Sequence, residues 1–109
     1  MKSSDAVSEE RAEAWIGDAV LALFARRWIL TNQRCMDADL FTAMTSNQFL
    51  STISNPTRLE SRIGKRFTEA GLEAAFAFIE AEVLPKFLAQ TKKARSSGSA
   101  GVVAGKGRN

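Results

Sequence analysis

A chain of 109 residues, 45% hydrophobic and 25% charged, has the make-up of one globular domain and is too short for two cores. Histidine is absent, which excludes Ser-His-Asp and Cys-His nucleophiles and histidine-bound zinc; tyrosine is absent too, leaving base stacking to Phe or Trp. The net charge of +3 comes from Lys92, Lys93, Arg95, Lys106 and Arg108, which have no acid among them; taking these five from 15 basic residues leaves 10 against 12 acidic, or −2, over residues 1–91.

No apolar run approaches the ~20 residues that span a bilayer, and Met1–Ser8 has no signal-peptide core. Cys35 is the single cysteine and has no partner for an internal disulfide. These features predict a cytoplasmic protein without a membrane segment.

Met1–Val7 is polar and reads as a frayed lead-in. Ser8 is a candidate N-cap, with Glu9 and Glu10 in the first turn where the helix dipole favours negative charge. The helix this opens runs to about Leu30 and is apolar nearly all round. Ile16, Val20, Leu23 and Leu30 form one stripe, Leu21, Phe24 and Trp28 a second, and Ala14, Ala22 and Ala25 a third. That pattern predicts a buried central helix. Asp18 lies within it, directly after Gly17 and over Ala14, Ala22 and Ala25. A desolvated carboxylate needs a partner. An ion pair with Arg11, Arg26 or an arginine elsewhere would serve; so would a metal ion.

Thr31–Arg34 reads as a turn. Asp37 or Asp39 caps a short second helix carrying Leu40, Phe41 and Met44, and Thr45 or Ser46 starts a third with Phe49, Leu50 and Ile53 inward. Asn55-Pro56 opens a fourth helix to about Thr68, with a thin apolar face (Leu59, Ile63, Phe67) and a basic one (Arg58, Arg62, Lys65, Arg66). Ala70-Gly71 closes it in a left-handed cap. A fifth helix runs from Leu72 past Pro85 to Gln90 on the stripe Leu72, Ala75, Phe76, Ile79, Val83, Phe87. No segment alternates with period two, so the fold class is all-α: about five helices around the Ala12–Leu30 helix, in a domain over residues 1–91, with a flexible basic tail over 92–109.

Two blocks carry chemistry. Trp15-Ile16-Gly17-Asp18-Ala19-Val20-Leu21 resembles the signature helix of the ribonuclease III family, Glu-Phe-Leu-Gly-Asp-(Ser/Ala)-Val-Leu. Ala14–Val20 is closer still to the Ala-Tyr-Ile-Gly-Asp-Ala-Val of its small Mini-III branch. Glu60-Ser61-Arg62-Ile63-Gly64, followed by Gly71-Leu72-Glu73-Ala74-Ala75, resembles the family's second block without a gap. The resemblance implies a dimeric ribonuclease III-like domain and a Mg²⁺-dependent (or Mn²⁺-dependent) endoribonuclease that cleaves structured or double-stranded RNA. Asp18 and Glu60 would be the metal ligands and catalytic acids. The family's other two acids fall on Ala14 and Thr57, as in Mini-III, and residues 31–55 are short of the family's usual one or two extra helices.

By the same resemblance Trp15 stands at the dimer contact; a core tryptophan is the simpler alternative. Arg58, Arg62, Lys65 and Arg66 around Glu60 are placed to hold RNA phosphates, or else form a solvated face paired with Glu69 or Glu73. A non-catalytic RNA-binding or ribosome-associated dimer is the alternative function.

Overall fold

The computed structural model describes the backbone of residues 3–99 and side chains of residues 7–92. Six helices follow in order: α1 (Ser3–Gln33), α2 (Ala38–Thr45), α3 (Asn47–Leu50), α4 (Pro56–Ala70), α5 (Leu72–Glu82) and α6 (Leu84–Ser99). The described residues are all-helical, and no helix among them is long and apolar enough to cross a membrane.

Local chemistry places most of the helix ends. Asp37 accepts the Leu40 N–H at 2.9 Å, Ser46 Oγ the Phe49 N–H at 3.1 Å, and Asn55 Oδ1 the Arg58 N–H at 3.1 Å, each relieving an orphan donor of a first turn. Pro56 follows Asn55 at the first helical positions, where its missing N–H costs nothing. Gly71 ends α4 and begins α5 at φ 95°, ψ 175°. This is an extended conformation of positive φ that only glycine adopts readily, rather than the left-handed cap expected.

α1 differs from expectation at both ends. It begins by Ser3, so Ser8 is an interior residue and caps nothing; no Pro or Gly between them stops the helix. It continues through Thr31–Gln33, and the Asn32 amide donates to Trp28 O at 2.8 Å. The turn comes instead at Arg34, with φ 64° and its N–H on Leu30 O at 3.1 Å. The expected fifth helix is two. Val83 (φ −112°) separates α5 from α6, two residues before Pro85, which sits in the first turn of α6. α6 reaches Ser99 and so crosses the expected tail boundary; residues 100–109, including Lys106 and Arg108, lie outside the described residues.

The core joins α1, α4 and α5 through Leu21, Phe24, Ala25, Leu59, Ile63, Ala75 and Ile79, with Met44, Phe49 and Leu50 closing one end. Edge-to-face rings tie it together: Phe24 on Phe76 at 5.3 Å, and Phe49 on Phe87 at 5.2 Å. Phe78 is buried as well, outside the stripe read from the sequence.

α1 is central but not enclosed. Its Leu21–Phe24 and Ala14–Ala25 stripes are covered, whereas of the first stripe only Val20 is buried. Ile16, Leu23 and Leu30 are exposed, and Trp15 is 80% exposed, which removes the core alternative for that residue. The reason is geometric. The helices packed on α1 (α4, α5 and α2) leave its remaining side open.

Candidate functional site

The site begins with two glycines. Where α1 crosses α4, a Cβ on Gly17 would lie 1.7 Å from Glu60 O, and a Cβ on Gly64 would lie 1.9 Å from Glu13 O. Each glycine therefore turns a hydrogen toward a backbone carbonyl of the other helix, the weak Cα–H···O contact of close helix crossings. The two contacts are one turn apart on each helix (Glu13 and Gly17, Glu60 and Gly64), so the crossing is reciprocal. No side chain separates the backbones here, and the residues flanking each glycine are brought to the rim of the crossing.

On one flank the Asp18 and Glu60 carboxyls meet, close enough to share one proton. The Glu60 pKa is pushed up to about 7, first by burial, then by the Asp18 charge, then by the hydrogen bond its protonated form gives Asp18. The desolvated member is thus Glu60, which is half-buried, while Asp18 is exposed. This corrects the sequence expectation. α4 covers Gly17 itself, and Asp18, one residue on, is exposed to solvent. Among the described residues Asp18 has no ion pair with Arg11 or Arg26; the Arg26 guanidinium lies 4.3 Å from the Phe41 ring centroid instead.

Two facing carboxylates repel when both are ionised, and hard oxygen donors of this kind suit Mg²⁺ or Mn²⁺, which retain several waters. The donor set is small. Ala14 is buried and offers no oxygen, and no group of three or more His, Cys, Asp or Glu fit to hold a metal occurs among the described residues.

The other flank was not legible as a pair in the sequence. Ser61, buried, donates its hydroxyl to Glu13 Oε1 at 3.1 Å, and a cleft beside them is lined by Val7, Glu9, Glu10, Glu13, Ser61 and Lys65. The signal was the spacing: Glu13 stands one turn before Gly17, and Ser61 follows the residue one turn before Gly64.

The four basic residues of α4 sort by surroundings. Arg58 approaches Glu10 at 3.8 Å, an exposed pair of little energetic weight. Lys65 lines the acidic cleft. Arg62 and Arg66 lie over the Phe78 ring, their guanidinium carbons 5.1 and 5.0 Å from its centroid. The alternative pairing with Glu69 or Glu73 is not formed among the described residues.

The Glu60 shift has a measurable consequence. Its carboxyl titrates near 4.5 when unfolded and near 7 when folded, so the folded state holds the proton more tightly. Stability from this group is complete below pH 4.5 and is lost as pH rises through 7. Glu60→Gln, which mimics the protonated form, is expected to raise stability at pH 8 by about 1–2 kcal/mol, a value reduced for solvent screening of a partly exposed pair. At pH 4.5 it should change little. Thermal melts of both proteins across this range check the sign; a variant less stable at pH 8 would contradict it.

Compared with known proteins, the chain matches no family model, no curated protein and no solved structure.

Proposed function

We propose that the protein is a Mg²⁺-dependent endoribonuclease of the ribonuclease III type, acting on structured or double-stranded RNA as a homodimer. The observation that carries the reading is the meeting of Asp18 and Glu60 at the Gly17–Gly64 crossing. Each of these two acids matches an acid of one family block, and the two lie 42 residues apart in the chain (60 less 18).

Asp18 and Glu60 would hold the ion, which supplies a water of lowered pKa and neutralises charge on the scissile phosphate. Asp18, exposed, presents its oxygens to the approaching backbone. Glu60, half-buried, is fixed by the crossing and must give up its proton before it can act as a ligand. Metal binding, and activity at limiting Mg²⁺, should therefore rise with pH through about 7, the pKa of Glu60 without the ion. The first test is incubation of a duplex RNA with the protein in Mg²⁺ and in chelator. Metal-dependent internal scission supports the reading, and an intact duplex opposes it.

The small donor set favours a second reading, an RNA-binding dimer that keeps the fold without catalysis. Intact duplex in Mg²⁺ or Mn²⁺ together with tight RNA binding would select it.

The dimer is proposed through the open side of α1, where Trp15, Ile16, Leu23 and Leu30 form an apolar row that water would otherwise cover. Trp15→Asp is expected to convert dimers to monomers in sedimentation. A parent chain that is already monomeric at high concentration would refute this.

A further inference from the structure

Arg62 and Arg66 are one turn apart on the exposed side of α4, and both guanidinium groups lie about 5 Å from the centroid of one ring, that of the buried Phe78 on α5. Like charges at this spacing on a helix repel. Side chains so placed would separate into water unless something holds them, and here the ring does, through cation–π attraction to both. Among the described residues no carboxylate lies within 4 Å of either group. By contrast, Arg58 has Glu10 and Lys65 has the glutamates of the neighbouring cleft. The uncompensated charge of α4 is therefore concentrated in this pair, in planar forks whose N–H groups donate to anion oxygens.

We propose that Arg62 and Arg66, braced on Phe78, form a two-point binding site for backbone phosphates of duplex RNA. The identity of the polyanion rests on the nuclease reading; the site itself does not. At ~100° per residue Arg62 lies roughly 160° and Arg66 roughly 120° round α4 from Glu60, across a helix ~10–12 Å wide. They grip phosphates away from the one being cut. Their work is to hold the duplex, while Asp18 and Glu60 face the scissile bond. Arg58 and Lys65 belong to the α1–α4 interface and add little to binding.

The test measures binding of a duplex RNA of about 20 base pairs by fluorescence anisotropy, in chelator, between ~50 and ~200 mM salt. The full-length protein is compared with R62Q/R66Q, R62K/R66K and R58Q/K65Q, each checked by circular dichroism. R62Q/R66Q is expected to lower the slope of log K against log salt by about 2, one for each lost phosphate contact. R62K/R66K should keep the slope but bind more weakly, because lysine keeps the charge without the stacked fork. R58Q/K65Q should lower it by less than half as much. If the double glutamine variant fails to fold, R62Q and R66Q are read singly, each expected to lower the slope by about 1.

An unchanged slope in folded R62Q/R66Q, a larger loss in R58Q/K65Q, or no duplex binding by the parent would overturn the proposal. Preferential binding of a doubly phosphorylated peptide would overturn the assignment to RNA. A slope that falls as expected in a protein that never cleaves would remove the nuclease reading and leave the phosphate site standing. For a cleaving protein, R62Q/R66Q should raise KM and leave kcat near the parent value.

Discussion

Gly17→Ala should destabilise the protein by about 3 kcal/mol or more, and Gly64→Ala by a similar amount, at the upper end of overpacking effects. The new methyl carbon would be 1.7 Å from Glu60 O in one case and 1.9 Å from Glu13 O in the other. Both obstacles are backbone carbonyls inside helices, so no rotamer change relieves them and α1 must move away from α4. For a domain of this size such a loss lowers Tm by roughly 12–24 °C, at ~4–8 °C per kcal/mol. Gly71→Ala is the informative control. Nothing lies within 4 Å of its Cβ position, so only the strain of φ 95° acts there, on the order of 1–3 kcal/mol. If Gly17→Ala melts like the parent, the close crossing is not present in solution, and the site built on it goes too.

How much of this was legible in the sequence depended on distance along the chain. Asn55 could be placed as a cap, and Asp37 and Ser46 each as one of two candidates, because a cap is made with a backbone N–H three residues on. The identity of Asp18 and Glu60 as a pair came from two short blocks of resemblance, and the structure brings their carboxyls together. Their environments were another matter. Periodicity gave three apolar stripes on α1 but not which of them α4, α5 and α2 would cover, so Ile16, Leu23 and Leu30 read as interior when they are exposed. The same ambiguity assigned burial to Asp18, although Glu60, on a helix that looked more polar, is the desolvated acid. Glu13 and Ser61 were not legible as a pair for a related reason. Their hydrogen bond joins residues 48 apart and exists only because two glycines let the helices touch.

The second large effect concerns the acids. Asp18→Asn should lower the rate of duplex RNA cleavage in Mg²⁺ by about 10²–10³-fold or more, the usual loss when a charge aimed at the transition state is removed. The fold should persist. Asp18 is exposed and, among the described residues, makes no ion pair with Arg11 or Arg26, so the substitution strands no buried cation. It also removes the Asp18 charge, the second-largest cause that raises the Glu60 pKa after burial. Single-turnover cleavage, with melting of the same samples, separates lost chemistry from lost structure. A variant that unfolds would assign Asp18 a structural role, and one that cleaves at the parent rate would clear it of any.

The central claim is that Asp18 and Glu60 together hold a divalent cation, and Mn²⁺ titration by calorimetry tests it without reference to RNA. Run at pH 7 in two buffers of different ionisation enthalpy, it reports stoichiometry and proton release together. With the Glu60 pKa at about 7, the group is half protonated at that pH. The account predicts one saturable site per chain and release of roughly half a proton per ion bound, both lost in D18N/E60Q. Absence of saturable binding by the parent, or binding that survives unchanged in the double variant, would contradict it.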